Sequence, residues 1–456
     1  MPTFTDIPSL PTALIQATGT LGYTELTEIQ AAALPPMLAR RDVIAQALTG
    51  SGKTAAFGLA LLAALQPQQI RLQSLVLCPT RELADQVSKE IRALARFIPN
   101  VKVLTLCGGI PVGVQLASLA HEPHIVVGTP GRILDLCRKD ALRFDAIQTV
   151  VLDEADRMLD MGFLDDVSAI LALTPDTRNT WFFSATYPPQ INALSAQFQR
   201  EALRVTVERQ HDASAIEQLF YEVGIEDKPL AVLTLLRQRQ PDSCLVFCNT
   251  KIDVKTLTDF LWKHDVPALA LHGDLEQRDR DETLVQFANG SCRVLVATDV
   301  AARGLDIKAL PLVIACELPH DAEVHTHRIG RTGRAGASGV AITLVAPEEM
   351  KRVERIENIL GAELTWSPLP RSGGNALPAP AMRTLAIDAG RQDKLRPGDI
   401  VGALTNAAGL QKEQIGKIDV FATRAYVAVE RTVASVAREK LRNGKVKGRS
   451  FRVRSL

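Results

Sequence analysis

Val43-Ile44-Ala45 leads into Ala47-Leu48-Thr49-Gly50-Ser51-Gly52-Lys53-Thr54, and farther along Val150-Val151-Leu152 leads into Asp153-Glu154-Ala155-Asp156. The two segments carry the residue types of a nucleotide-hydrolysing site. Gly50 and Gly52 permit a tight turn whose N–H groups converge on phosphate oxygens at the start of a helix. Lys53 then reaches the terminal phosphates, and Thr54 offers a hydroxyl to magnesium. Asp153 is placed to hold that ion, directly or through water, and Glu154 to orient and deprotonate an attacking water. Ala47 stands where a phosphate loop usually opens on Gly. Asp153 and Glu154 alone could be a solvated strand end; beside the cradle they read as its metal ligand and base.

These residues need strands that end beside one another. From Val43 to about Val205, short β-branched runs alternate with helical patterns: Ser74–Cys78, Val101–Thr105, Ile125–Val127, Val150–Leu152 and Trp181–Phe183. That rhythm predicts a doubly wound parallel sheet, which binds ligands at the carboxyl ends of its strands. It recurs from about Glu217 in Cys244–Phe247, Ala268–Leu271, Arg293–Val296, Leu312–Ala315 and Gly339–Leu344. The second repeat has no Gly-Lys-Thr, so one nucleotide is expected to serve both repeats. Residues 366–380, rich in Pro, Gly and Ser, read as a linker. Beyond them the pattern is strand (Met382–Ile387), helix (Pro397–Ala407), strand (Ile415–Val420), strand (Ala425–Val429), helix (Thr432–Leu441), strand (Phe451–Val453). This βαββαβ order suits an RNA-recognition motif. The expected division is thus 1–208, 209–365, a linker at 366–380, and 381–456: an α/β chain of two tandem parallel-sheet domains followed by a small α+β domain.

The chain has 456 residues, of which 46% are hydrophobic, enough to bury several cores. It contains no apolar stretch approaching membrane-spanning length and no basic-then-apolar N-terminal pattern, so a cytoplasmic protein without a membrane partner is expected. Seven cysteines, mostly inside apolar runs, read as reduced core thiols rather than a disulfide framework. The net charge of +1 conceals a segregation: residues 381–456 hold 16 Lys+Arg against 7 Asp+Glu, a net of +9. Eight of those bases fall between Arg438 and Arg454, a cluster that favours a polyanion.

Read in order, further segments resemble the DEAD-box RNA helicases. Gly22-Tyr23 and Thr27-Glu28-Ile29-Gln30 are similar to the family's Q motif, with Phe4 upstream. Then come Pro79-Thr80-Arg81-Glu82-Leu83-Ala84, Gly108-Gly109, Thr129-Pro130-Gly131-Arg132, Asp153 to Asp156, and Ser184-Ala185-Thr186. The second repeat supplies Leu245 to Thr250, His272-Gly273-Asp274, Ala297-Thr298-Asp299, Arg303-Gly304-Leu305-Asp306, and His327-Arg328-Ile329-Gly330-Arg331-Thr332-Gly333-Arg334. The resemblance covers residues 4 to about 350. Gly416-Lys417-Ile418-Asp419 and Ala425-Tyr426-Val427-Ala428-Val429 narrow it to the bacterial DbpA subfamily, whose C-terminal domain recognises a hairpin of large-subunit ribosomal RNA near the peptidyl-transferase centre. The usual aromatic-rich signature of an RNA-recognition motif is absent from these strands.

The resemblance implies two RecA-like domains, ATP and Mg2+ as cofactors, and RNA as partner. Adenine selection falls to Gln30 with Tyr23 as a platform, Ala47 to Thr54 hold the phosphates, and Gly304 and Asp306 bind ATP from the second repeat, Asp306 at the ribose hydroxyl. Lys53, Asp153, Glu154, Arg331 and Arg334 act in catalysis, the two arginines as fingers. Asp156, Ser184, Thr186, His327 and Arg328 couple nucleotide to RNA. Thr80, Arg81, Gly109, Thr129, Gly131, Arg132, Gly273 and Thr298 meet phosphates and sugars. Lys445, Lys447 and Arg449 add basic contacts from the tail. The leading expectation is an ATP-dependent RNA helicase acting on the pre-50S particle. An ATP-gated RNA clamp is the alternative, and a DNA translocase is poorly supported.

Overall fold

The computed structural model describes residues 2–7, 9–47, 50–207, 216–302, 310–319, 322–333, 339–360, 363–370, 373–407, 409–444 and 446–456. They fall into two compact units, one before residue 208 and one after residue 215. No helix among them is long and apolar enough to cross a membrane.

The first unit is built on seven parallel strands: β1 (Val43–Gln46), β2 (Ser74–Leu77), β3 (Val103–Leu106), β4 (Ile125–Gly128), β5 (Thr149–Asp153), β6 (Asn179–Ser184) and β7 (Leu203–Thr206). Their spatial order is β3-β4-β2-β5-β6-β1-β7. Both faces are covered, which is why β2, β4 and β5 are continuous apolar runs rather than alternating ones. The helix Lys53–Ala64 is apolar nearly all round because it lies fully inside; Phe57, Leu59 and Leu61 are completely buried. The helix Arg81–Leu94 instead carries one apolar stripe, Leu83, Val87, Ile91 and Leu94, and turns its charges outward. Each such buried side chain contributes about 1.5–3 kcal/mol relative to exposure.

β6 lies between β5 and β1, with Asp153 opposite Phe183 and Ser184 opposite Gln46. That register sets the ends of the three strands side by side. The phosphate-loop segment, Asp153-Glu154-Ala155-Asp156 and Ser184-Ala185-Thr186 therefore emerge on one edge of the sheet.

The second unit contains six parallel strands, β8 (Ile216–Glu222), β9 (Cys244–Cys248), β10 (Ala268–Leu271), β11 (Val294–Thr298), β12 (Leu312–Ala315) and β13 (Gly339–Val345), in the order β10-β11-β9-β12-β13-β8. Residues 363–370 and 373–380 carry no helix or named strand but are tied to this sheet domain. Ser367 N–H donates to Phe220 O at 2.9 Å, and Gln240 Nε2 donates to Asn375 O at 2.8 Å.

The same unit ends in a four-stranded antiparallel sheet, β14 (Met382–Ile387), β15 (Ile415–Val420), β16 (Ala425–Glu430) and β17 (Val453–Ser455), in the order β15-β16-β14-β17. Leu385, Ile387, Val427 and Val429 point to the side covered by helices Pro397–Gly402 and Ala434–Asn443, and form a core with Ile400, Ala437 and Leu441. The first of these helices continues as a wider π turn over Ala403–Ala407.

Candidate nucleotide and RNA site

Gly50 and Gly52 adopt positive φ of 87° and 91°, and Gly52 caps the helix that begins at Lys53. Leu48 and Thr49 lie outside the described residues. Lys53 is buried, and its Nζ donates to Ala47 O at 3.0 Å, across the turn where a phosphate would lie. Ala47 itself is pinned to β6 by its N–H on Ser184 O at 3.0 Å. Gln30 is 4% exposed, and its amide is engaged at both ends: Nε2 donates to Gly52 O at 3.1 Å and Oε1 accepts from Thr27 N at 3.0 Å. A Cβ on Gly52 would lie 2.5 Å from that Nε2, so the close approach requires glycine. The residue expected to read adenine thus rests on the phosphate loop, with a second N–H and a second lone pair of its amide beyond these two contacts. Tyr23 is half-buried with its hydroxyl on Glu90 Oε1 at 3.2 Å; burial, followed by the Glu90 charge, pushes its pKa to about 12.

Asp153 is 2% exposed at the end of β5, and its Oδ1 is buried without a protein hydrogen bond. Burial pushes its pKa up to about 6, opposed by Lys53 and reinforced by Glu154. A buried carboxylate with an orphaned oxygen, together with the Thr54 hydroxyl on the first turn of the helix, fits a hard divalent cation. Glu154 takes a left-handed backbone, φ 53°, and its Oε2 lies 2.9 Å from Arg157 Nη1, both side chains being buried. Arg157 escaped the sequence reading; its position three residues after Glu154 in Glu-Ala-Asp-Arg was the available signal.

Asp156 joins the segments. Its Oδ2 accepts from Ala185 N at 3.1 Å, Thr186 N at 3.0 Å and Thr186 Oγ1 at 3.1 Å, while its own N–H donates to Ser184 Oγ at 3.1 Å. Burial works against its charge, but Lys53, Arg157, the Thr186 amide and the Ser184 hydroxyl together hold the carboxyl below its ordinary value. Three of the expected coupling residues are therefore one hydrogen-bonded unit.

Of the residues expected to meet RNA, Arg81 has a buried Nη1 with no hydrogen bond, and Thr129 begins its helix without a side-chain cap. Gly109 has φ 75° and Gly131 is exposed. Thr80 is 7% exposed and its hydroxyl caps the next helix, accepting from Leu83 N at 3.3 Å. Arg132 Nη1 donates to Ile110 O at 3.0 Å and Gln115 Oε1 at 2.8 Å, so it also braces the loop that follows Gly108-Gly109.

In the second unit Gly273 is exposed and Thr298 half-buried. Arg328 is 1% exposed and is a hub: Nε and Nη2 grip Asp299 at 2.7 Å each, Nη1 donates to Glu317 O at 2.6 Å, Nη2 donates to Asn249 Oδ1 at 2.8 Å, and the guanidinium lies over Phe247. Glu317 was not singled out by sequence, and Asn249 and Asp299 stood there only within motifs, without a role, because the arginine that unites the three is distant along the chain. Arg331 is 5% exposed and His327 half-buried. Gly304, Asp306, Arg334 and Lys445 lie outside the described residues. Lys447 Nζ donates to Lys394 O at 2.8 Å and lies 3.7 Å from Asp399, whereas Arg449 is exposed.

A phosphate loop, an acidic strand end and a Ser-Ala-Thr segment on one parallel sheet, followed by a second sheet of like design, define a two-domain nucleotide-dependent helicase core. Residues 27–194 match the DEAD/DEAH box helicase family, residues 227–336 the helicase conserved C-terminal domain, and residues 384–455 the DbpA RNA binding domain. The chain is 53% identical to the ATP-dependent RNA helicase DbpA of Escherichia coli over the whole of both chains, and 36% identical to that of Bacillus subtilis over 96% of each. Among solved structures, it resembles Saccharomyces cerevisiae Dbp5 bound to RNA and ADP BeF3 with a TM-score of 0.73, 30% identity, and coverage of 81% of this chain and 96% of that one. The chain belongs to the DEAD-box ATP-dependent RNA helicases, in the DbpA subfamily.

Proposed function

We propose that this helicase is an RNA-stimulated ATPase that opens short RNA duplexes locally, and that residues 381–456 direct it to a hairpin of large-subunit ribosomal RNA near the peptidyl-transferase centre during 50S assembly. The observation that carries the reading is the match of residues 384–455 to the DbpA RNA binding domain, in one chain with both helicase domains.

In this reading Lys53 leaves Ala47 O and binds the terminal phosphates, with the N–H groups of the Gly50–Gly52 turn. Asp153 and Thr54 hold magnesium, which when bound neutralises charge on the phosphates. Glu154 orients and deprotonates the attacking water. Gln30 selects adenine and, through its contact with Gly52 O, reports occupancy to the phosphate loop. Arg331 and Arg334 stabilise the transferring phosphoryl group. The hydrogen bonds between Asp156 and Ser184-Ala185-Thr186 carry the state of the phosphate site to the RNA contacts. Those contacts, led by Arg81, Thr129 and Gly131, address phosphate and sugar and are blind to base sequence. Selectivity then belongs to the C-terminal module.

A strand-release assay on a short duplex joined to the ribosomal hairpin tests the proposal. The full chain should release the strand with ATP, and Lys53→Ala should not. Release that is equally fast after deletion of residues 381–456 would remove the ribosomal address.

A further inference from the structure

The antiparallel sheet of the C-terminal module has two faces, and one is occupied within its own unit. Thr384 Oγ1 accepts from Asn289 Nδ2 and donates to Ser291 Oγ, at 2.8 Å each. Ala386 and Tyr426 pack with Val285, the Tyr426 hydroxyl lies 3.5 Å from Glu282 Oε1, and Arg454 forms an ion pair with Glu282. Tyr426 is 2% exposed. This is the strand face on which RNA-recognition motifs stack bases. Here it packs on the second RecA-like domain.

Strand alternation sends Arg383 and Ser455 to the opposite face, on the side of Leu385, which pairs with Ser455. There they meet the start of the helix Ala434–Asn443 around a cavity of about 180 Å³ lined by Arg383, Arg431, Ala434, Ser435, Arg438 and Ser455. Its volume is several times the roughly 30 Å³ share of one water molecule. No carboxylate lines it, and none of its three arginines is in an ion pair with a described residue. Arg383 Nε donates to Ser455 Oγ at 3.0 Å and Arg431 Nε to Pro380 O at 2.7 Å, which fixes two guanidinium groups and leaves their terminal nitrogens available. Arg431 and Arg438 are exposed, so the cavity opens to solvent.

We infer that this cavity is a phosphate-binding subsite that takes the RNA backbone, with Arg383, Arg431 and Arg438 as its cations and the Ser435 and Ser455 hydroxyls as donors. The chemistry is that of a single phosphodiester: planar guanidinium forks match phosphate oxygens in pairs, and three like charges without a counter-carboxylate favour an anion. An open rim suits a polymer passing over the site. The inference rests on the reading of residues 381–456 as the RNA-binding module, and it places an anchor on the face away from the second RecA-like domain.

The test uses the full chain and measures affinity for the peptidyl-transferase-region hairpin and for an unrelated hairpin between 50 and 200 mM salt, a range over which phosphate contacts dominate. Arg431→Gln and Arg438→Gln should each weaken both hairpins and lower the salt slope by about 1. Lys351→Gln, an equal loss of charge at an exposed position elsewhere in the unit, should leave the slope unchanged. Unaltered affinity and slope in both arginine variants would overturn the subsite. So would variants that lose binding of inorganic phosphate, followed by phosphorus NMR, while holding RNA as before. If the wild-type chain binds both hairpins equally but the slopes fall, the ribosomal address fails and the subsite stands.

Discussion

The guanidinium of Arg157 lies 2.9 Å from the carboxylate of Glu154, and the two side chains are only 4% and 6% exposed. The proposed base, at the N-cap of the short helix Ala155–Asp160, is thus held by a buried cation three residues on, in that helix's first turn. Removing one partner of a buried pair leaves the other charge uncompensated, at a cost of about 3–5 kcal/mol. Arg157→Gln should therefore lower the unfolding midpoint of the first domain, and should reduce kcat more than the KM for ATP. Denaturant unfolding and steady-state turnover check both; unchanged kcat would show that Arg157 does not position Glu154.

As the proposed magnesium ligand, Asp153 predicts an acid limb in the reaction. Its folded-state pKa of about 6 lies above the ordinary aspartate value of 3.8, so between those values the folded protein holds a proton that the unfolded chain does not. Any stabilisation from this protonation is present at low pH and lost as pH rises through about 6. Magnesium binding has the opposite dependence, since it needs the ionised carboxylate. The magnesium concentration for half-maximal ATP turnover should rise as pH falls from 7 to 5. A constant requirement over that range would argue against Asp153 as ligand.

The four hydrogen bonds between Asp156 and the Ser184-Ala185-Thr186 segment predict a separation of activities. Ser184→Ala orphans the Asp156 N–H and Thr186→Val removes a donor to Oδ2. Both variants should lose strand release more than ATP turnover, measured side by side. Equal losses would mean the unit serves hydrolysis alone.

Arg328 is a prediction about stability. It satisfies Asp299, Asn249 and the Glu317 carbonyl at once, and Lys cannot reproduce a fork that grips both Asp299 oxygens. Arg328→Lys should destabilise the second unit, visible as an earlier thermal transition than that of Arg331→Lys. A wild-type transition would contradict the hub.

Much of this site was legible because its chemistry sits in short contiguous motifs at strand ends. Val43-Ile44-Ala45 before the phosphate loop and Val150-Val151-Leu152 before Asp153 needed only the pattern of buried parallel strands, and the strand Met382–Ile387 was expected at its observed bounds. What sequence could not supply were partners set by tertiary packing. β6 enters between β5 and β1, which is why Ser184 meets Asp156; nothing local announces that order. Gln30 on Gly52, Thr80 as a helix cap and Lys447 on Lys394 are likewise contacts that engage residues which sequence reading left open to ligands. The sequence shows that the strand holding Tyr426 lacks the usual aromatic signature, but not that the second RecA-like domain covers this residue.

ATP turnover by the purified full chain tests the account most directly, measured with no RNA, bulk ribosomal RNA, the peptidyl-transferase-region hairpin, an unrelated hairpin of equal length, and DNA. The account predicts strong activation by ribosomal RNA and its hairpin, weak activation by the unrelated hairpin, and none by DNA. Equal activation by every RNA would contradict the proposed address, and turnover indifferent to RNA would contradict the coupling itself.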